Sequence, residues 1–211
     1  MEKKDKNDLK CRKCRREGEK LFLKGEKCSS GKCPILRRNY PPGVHGPKSR
    51  TRLTGYGIQL REKQKAKRIY DLKEKKFANY VAAASSKKGD TGQFLSAILE
   101  TRLDNVVFKI GLAKSRKHAR QLVSHAHIII NGKRVNIPSY QVKIGQVIGL
   151  KEKDKKSEKF KTTLENLPKH QAPSWITLNA ENAEGKIVSM PQGDDLKQNF
   201  DPKLIIEYYS R

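Results

Sequence analysis

Four cysteines are the residues of this chain whose spacing most clearly suits a chemical task. Cys11 and Cys14 form a C-x2-C pair, thirteen residues follow, and Cys28 and Cys33 form a C-x4-C pair; these are all the cysteines of a 211-residue chain. Thiolates two to four residues apart converge on one tetrahedral ion, and the loop between the pairs is short enough to close. Two disulfides are the other arrangement open to the set, and a reducing compartment disfavours them. Buried spectator thiols fit poorly in a segment whose main apolar residues are Leu21, Phe22, Leu23 and Ile35. The spacing therefore points to one structural zinc ion held by Cys11, Cys14, Cys28 and Cys33. Four thiolates leave no open coordination position, so the role is folding rather than catalysis. A zinc contribution of ~10–16 kcal/mol suffices to organise a segment with almost no core.

A second group is cationic. Between residues 101 and 137, Arg102, Arg116, Lys117, Arg120 and Lys133 recur beside apolar residues that can be buried together. Such a set is expected to bind phosphate, and the candidate contacts of the stretch also include Ser115, Gln121, His125 and Asn131. His125 and its neighbour His127 either contact RNA or stabilise a turn. The elements that must position these residues are legible. Leu103, Val106, Val107 and Ile110 recur at i, i+3, i+4 and i+7, one face of a helix that Gly111 stops. Ser115 is suited to cap a second helix, whose apolar side is Ala119, Leu122 and Val123. Ile128–Ile130 runs into Asn131-Gly132, a strong hairpin turn, with Val135 and Ile137 expected across it.

The formal net charge is +25. Self-repulsion on that scale is tolerated when a polyanion neutralises it, so nucleic acid is the first partner to expect. Residues 1–80 hold 25 Lys+Arg against 9 Asp+Glu, residues 81–150 hold 11 against 3, and residues 151–211 hold 11 against 10. The first two-thirds are thus expected to meet the polyanion. No apolar run of membrane-spanning length and no apolar signal core is present, which suggests a soluble intracellular protein.

Residues 1–10 are polar and are expected to be unstructured alone. Residues 39–57 carry three prolines and four glycines, a density that excludes regular structure. Within that loop Lys48, Arg50 and Arg52 alternate, a spacing equally suited to tracking a phosphate backbone or to a solvated linker. Residues 58–84 read as helix, with Arg61, Lys63, Lys65, Lys67 and Arg68 set against the single Glu62 in its first half. That half would repel itself, and RNA contact is the expected remedy. Residues 151–162 read as a solvated helix or linker. Trp175, after Pro173, reads as an anchor against another domain.

Catalytic chemistry has little to stand on. The chain holds no phosphate-binding G-x-x-x-x-G-K-[ST] loop, no G-x-S-x-G elbow and no H-E-x-x-H helix. Arg102-Leu103-Asp104 resembles the R-L-D around the catalytic aspartate of many pseudouridine synthases. Here Asp104 falls in the first turn of a helix, where an acid complements the dipole.

The stretch R-L-D-N-V-V-F-K-I-G-L-A-K-S-R-K-H-A-R-Q-L-V-S-H-A-H-I-I-I-N-G-K-R-V-N-I-P-S-Y resembles the RNA-binding module of bacterial small-subunit ribosomal protein four. C-R-R-E-G-E-K-L-F-L-K-G at 14–25, N-Y-P-P-G-V-H-G at 39–46, Y-G-I-Q-L-R-E-K-Q-K at 56–65 and L-I-I-E-Y-Y-S-R at 204–211 are similar to the same family. The resemblance implies a mostly helical α+β protein in four parts. Residues 1–45 would be a zinc-bound N-terminal segment and 46–100 a basic loop and helical body. Residues 101–165 would be an inserted α/β RNA-binding module of two helices plus a hairpin, and 166–211 a C-terminal segment packing back on the body. It further implies a structural, non-enzymatic constituent of the small ribosomal subunit. Such a protein is a primary rRNA binder that nucleates assembly and, with ribosomal protein five, contributes to decoding accuracy. Messenger RNA near its point of entry would favour the functional reading of Lys48, Arg50 and Arg52. An rRNA-modifying enzyme and a messenger-binding translational regulator are the alternatives that share the module.

Overall fold

The structure, a computed structural model, describes residues 8–48 and 52–211. Along the chain run helices α1 (Asp8–Glu17), α2 (Glu26–Ser29), α3 (Pro34–Arg37), α4 (Gly55–Ile69), α5 (Glu74–Ser85), α6 (Thr91–Glu100), α7 (Leu103–Ile110) and α8 (Arg116–Ser124). Strands β1 (Ile128–Ile130), β2 (Lys133–Arg134) and β3 (Val147–Leu150) precede helices α9 (Glu152–Lys155) and α10 (Glu158–Asn166). Strands β4 (Ile176–Asn179) and β5 (Glu184–Ile187) and helix α11 (Pro202–Tyr209) complete the order. The described residues are mostly helical with one small antiparallel sheet, the α+β class expected. They divide into two compact units, one of residues up to 78 together with 199–211, the other of residues 79–198.

In the first unit α11 lies along α4. Gln59 Nε2 donates to Glu207 Oε2 at 2.9 Å, and the Asp201 backbone N–H donates to Glu62 Oε2 at 2.9 Å. Ile205 is wholly buried, and the Tyr70 ring meets Phe200 edge-on at 6.3 Å. Thr54 caps α4 by accepting from the Gly57 N–H. The single helix expected over 58–84 is two. The Leu72 N–H bonds the Lys67 carbonyl and the Asp71 N–H bonds that of Arg68, with Asp71 at φ 51°, so α4 closes in a Schellman motif. A left-handed aspartate is tolerated there, and composition carries no signal of it. The proline-rich loop is pinned by Arg15, whose Nε donates to the Tyr40 carbonyl at 3.0 Å while its guanidinium lies 4.7 Å over the Tyr40 ring. Gly46 is obligatory, since a Cβ there would sit 1.9 Å from the Pro41 carbonyl oxygen.

The second unit is built on a five-stranded antiparallel sheet in the order β2-β1-β3-β5-β4. Asn131 and Gly132, at φ 48° and 77°, make the two-residue turn between β1 and β2, as the sequence predicts. Helix α7 ends at Gly111, φ 96°, and Ser115 caps α8 by accepting from the His118 N–H. Leu103, Val106, Val107 and Ile110 are fully buried with Ile128, Ile148 and Leu150 in one core. Gly185 lets that helix approach the sheet: a Cβ on it would lie 2.7 Å from Ile110.

Several expectations differ from this arrangement. Strand β5 pairs with β3, and β4 with β5, in the same sheet, so residues 176–187 belong with the 101–165 module rather than with a C-terminal segment, and α11 alone joins α4. Trp175, 1% exposed, fills the core of its own unit instead of anchoring another domain. Val135 packs on the core, but Ile137 is exposed and does not answer across the hairpin. Gly149 lies inside β3, opposite Glu184. Of the two readings of residues 151–162 the helical one holds, since they form α9 and the start of α10. Residues 1–7, in the stretch expected to be unstructured, lie outside the described residues.

Candidate nucleic-acid interface

Arg102 is not on the surface. It is wholly buried, its Nε donating to Asp104 Oδ1 at 3.0 Å and its Nη2 to Oδ2 at 2.5 Å, while Nη1 donates to the Tyr80 hydroxyl. Two parallel bonds between a guanidinium and a carboxylate make the strongest ion-pair geometry a protein uses. Burial disfavours the Arg102 charge, and Asp104 more than offsets this, raising it above its ordinary value. Burial pushes the Tyr80 hydroxyl up as well. The expected phosphate contact is therefore a structural strut, and Asp104, with both oxygens engaged, is a member of the same strut. Ser115 is likewise buried in its capping role.

Around this strut the cations of α8 and the β1–β2 hairpin face outward. Lys117, Gln121, His125, Asn131 and Lys133 are exposed, and Arg116 and Arg120 are half-buried. Arg116 is pre-positioned: Asn105 Oδ1 accepts from its Nε at 2.7 Å, and its guanidinium lies 4.8 Å over the Phe108 ring. Asn105 is in turn fixed by donating to the backbone and carboxylate of buried Glu100. Asn131 also serves the sheet, its Oδ1 accepting from the Val147 N–H at 2.8 Å. His127 Nδ1 meets Asp154 Oδ2 at 2.9 Å, and its ring stacks 6.3 Å from exposed His125. His127 thus secures a turn, and His125 is the histidine open to contact.

The basic helix α4 solves its repulsion inside the protein. Lys63 and Lys67 meet Glu74 at 2.9 and 2.7 Å. Lys65 meets Glu62 at 2.7 Å and Glu19 at 3.2 Å, and Arg61 and Arg68 both pair with Glu17. Lys63 and Lys65 are buried, and Lys63 also lies 4.3 Å over the Tyr208 ring. The RNA contact expected of Arg61, Lys63, Lys65, Lys67 and Arg68 is not what their surroundings support, because every one of these charges already faces an acid. Burial opposes ionisation of Glu74, but Lys67, Lys63 and Tyr209 prevail and hold it down to about 2. A depressed carboxylate stabilises the fold fully above its unfolded value and loses that stabilisation as pH falls through its folded one. Tyrosine fluorescence of the full chain should therefore show an acid transition between pH ~4.5 and ~2 whose pH dependence Glu74→Gln makes shallower.

The ribosomal protein S4/S9 N-terminal domain family matches residues 6–100, and the S4 domain family matches residues 101–148. Small ribosomal subunit protein uS4 of Halothermothrix orenii is 52% identical over 201 residues, covering 95% of this chain and 96% of its own length. That of Acetivibrio thermocellus is 52% identical over the same span, and that of Clostridium tetani 50% identical over 204 residues, 97% of this chain and 98% of its own. The chain belongs to the uS4 family. The S4 domain match ends within β3, whereas the sheet of this member continues through β5 to residue 187.

Within that family frame, the loop cations Lys48 and Arg52 are exposed; Arg50 lies outside the described residues. Sequence reasoning passed over Lys114, Arg134 and Lys143, all exposed and within the module. Lys114 and Arg134 adjoin Ser115 and Lys133 and were findable on that ground, whereas Lys143 adjoins none of the named residues. Cys11, Cys14, Cys28 and Cys33 are buried, unbridged thiols. Burial pushes the Cys14 thiol up, and the other three lie close enough to push it further. The Leu21 backbone bonds Cys14, and the Lys24 N–H donates to Cys28 Sγ at 3.3 Å. Among the described residues no group of three or more His, Cys, Asp or Glu is placed to hold a metal ion. No helix among them is long and apolar enough to cross a membrane.

Proposed function

We propose that the chain is a structural constituent of the small ribosomal subunit and binds that subunit's rRNA. The observation that carries this reading is its end-to-end match, at about half identity, to proteins named small ribosomal subunit protein uS4. The geometry supplies the means. A rigid core presents exposed cations from α8 and the hairpin, and phosphate contacts of this kind fix position and register on RNA. A-form helices are recognised through shape, phosphates and 2′-hydroxyls, which suits a fixed scaffold better than a flexible arm. The cytoplasmic ribosome is the place of work that follows.

Finer parts of the reading extend it. The protein binds its rRNA early and nucleates assembly, ribosomal protein five is its neighbour in decoding accuracy, and Lys48, Arg50 and Arg52 serve messenger RNA near its entrance. Two small-subunit rRNA competitions test the core of it: the full chain should prefer small-subunit over large-subunit rRNA. Equal affinity for both, or a preference for a messenger leader, would replace this function with the regulatory one.

Zinc is part of the proposal. Cys11, Cys14, Cys28 and Cys33 are the ligands, supported by their joint burial, their unbridged state and the N–H groups that two of the sulfurs accept from. The ion would cross-link α1 to the start of α3 where apolar packing is thin. Metal analysis of purified protein should give one zinc per chain, and a ratio well below one contradicts the assignment.

A further inference from the structure

Helix α8 ends in two histidine rings held nearly parallel. His125 stands at its C-cap, its N–H bonded to the Gln121 carbonyl at 2.9 Å. The His127 N–H bonds the Leu122 carbonyl and the Ala126 N–H that of Val123. This is a Schellman motif, with Ala126 at φ 58° in the place that glycine usually takes. It sets the His125 and His127 rings 9° from parallel, with centroids 6.3 Å apart. The ring of buried Phe160 meets His127 at a steep angle, centroids 5.7 Å apart, and Asp154 Oδ2 holds His127 Nδ1 at 2.9 Å. His127 is thus fixed by three neighbours, and His125 is the exposed end of the series Phe160, His127, His125.

We propose that the His125 ring is a stacking platform for an unpaired base of the bound RNA, a site that rests on the RNA-binding reading and adds a nucleobase to its phosphate contacts. A ring backed by fixed neighbours loses less freedom on stacking than an isolated one. Lys117, Gln121 and His125 form one i, i+4, i+8 row, all three exposed. The row sets a cation about 12 Å along the helix from the ring. One strand can therefore lay its backbone along Lys117 and a base on His125, the usual pairing of charge and aromatic face in single-strand binding. No Asp or Glu occurs between Asp104 and Glu152, whereas nine Lys and Arg do. An ammonium or guanidinium from a protein partner would be repelled by that field. A carboxylate gains nothing from an aromatic face, whose quadrupole is negative. A nucleotide brings both the flat ring that stacks and the phosphate that the cations attract. Every base has such a face, so the site reads an unpaired nucleotide rather than a sequence.

The test measures binding of the full chain to a small-subunit rRNA transcript over a salt series, with Trp175 fluorescence checking that each variant is folded. His125→Ala should weaken binding about ten-fold and leave the salt slope unchanged, because stacking releases no counterion. His125→Phe should stay within about three-fold of the wild type, since it keeps a ring, and His125→Lys should be as weak as His125→Ala. His127→Gln should weaken binding of the otherwise unchanged chain and cost nothing further in His125→Ala; a role of His127 in folding alone would cost the same in both. Unchanged affinity in His125→Ala overturns the proposal and leaves the ring to a protein partner. A loss that His125→Lys restores and His125→Phe does not also overturns it, and makes the contact one to phosphate. Failure of the wild-type chain to bind the transcript would overturn the RNA-binding reading instead.

Discussion

Arg102→Met is expected to destabilise the second unit by about 3–5 kcal/mol, because it leaves Asp104 buried and unpaired. Arg102 and Asp104 are both at least nine-tenths buried, and the guanidinium also supplies the Tyr80 hydroxyl with its partner. Removing one member therefore strands a carboxylate and a phenol together. The loss should lower the melting temperature by on the order of ten degrees or more. Trp175 is the only tryptophan of the chain and sits in the core of this unit, so its fluorescence reports the unit directly. Pairing the change with Asp104→Leu should recover much of the loss, since an apolar pair of similar volume often replaces a buried ion pair without penalty. The pair is shielded from solvent, so 1 M salt should leave the difference intact. A loss within about 0.5 kcal/mol, the range of ordinary surface substitutions, would contradict the assignment of Arg102 as a strut.

Replacing Lys114, Lys117, Lys133 and Arg134 together by glutamine should lower the slope of log affinity for rRNA against log salt by about 3, at ~0.7–0.9 per phosphate contact. All four are exposed on α8, on the segment leading into it and on the hairpin. Lys63→Gln and Lys65→Gln should leave that slope unchanged, because Glu74, Glu19 and Glu62 already neutralise those charges within the protein. Total charge changes in the same sense in both sets, so the contrast isolates where the charge points. A slope that responds equally to α4 and to the module surface would mean that α4 opens its ion pairs to meet RNA.

The contrast also shows what a sequence carries and what it withholds. Helices α7 and α8 and the Asn131-Gly132 hairpin were legible because periodicity, a capping serine and a turn pair are local signals. Arg102 and Arg120 look alike in one dimension. Their difference is set by Tyr80, twenty-two residues from Arg102, which no spacing rule connects to it. The fate of α4 depended on Glu17, Glu19 and Glu74, acids that lie outside the window in which its repulsion was counted. Strands β4 and β5 are four residues each; β5 pairs with β3 across α9 and α10 and β4 pairs with β5, so their place in the sheet came only from tertiary contact. The cysteine spacing was legible as a set, and the structure adds burial and hydrogen bonds without drawing the sulfurs into ligand geometry.

A structural role requires that this uS4 family member be built into the small ribosomal subunit. Small subunits purified from cells whose only copy of the chain carries a peptide tag, washed at high salt, provide the direct measurement. Close to one tagged chain per particle, retained through the wash, is the expected result. A ratio far below one, with the chain recovered free or on other RNA, would contradict it.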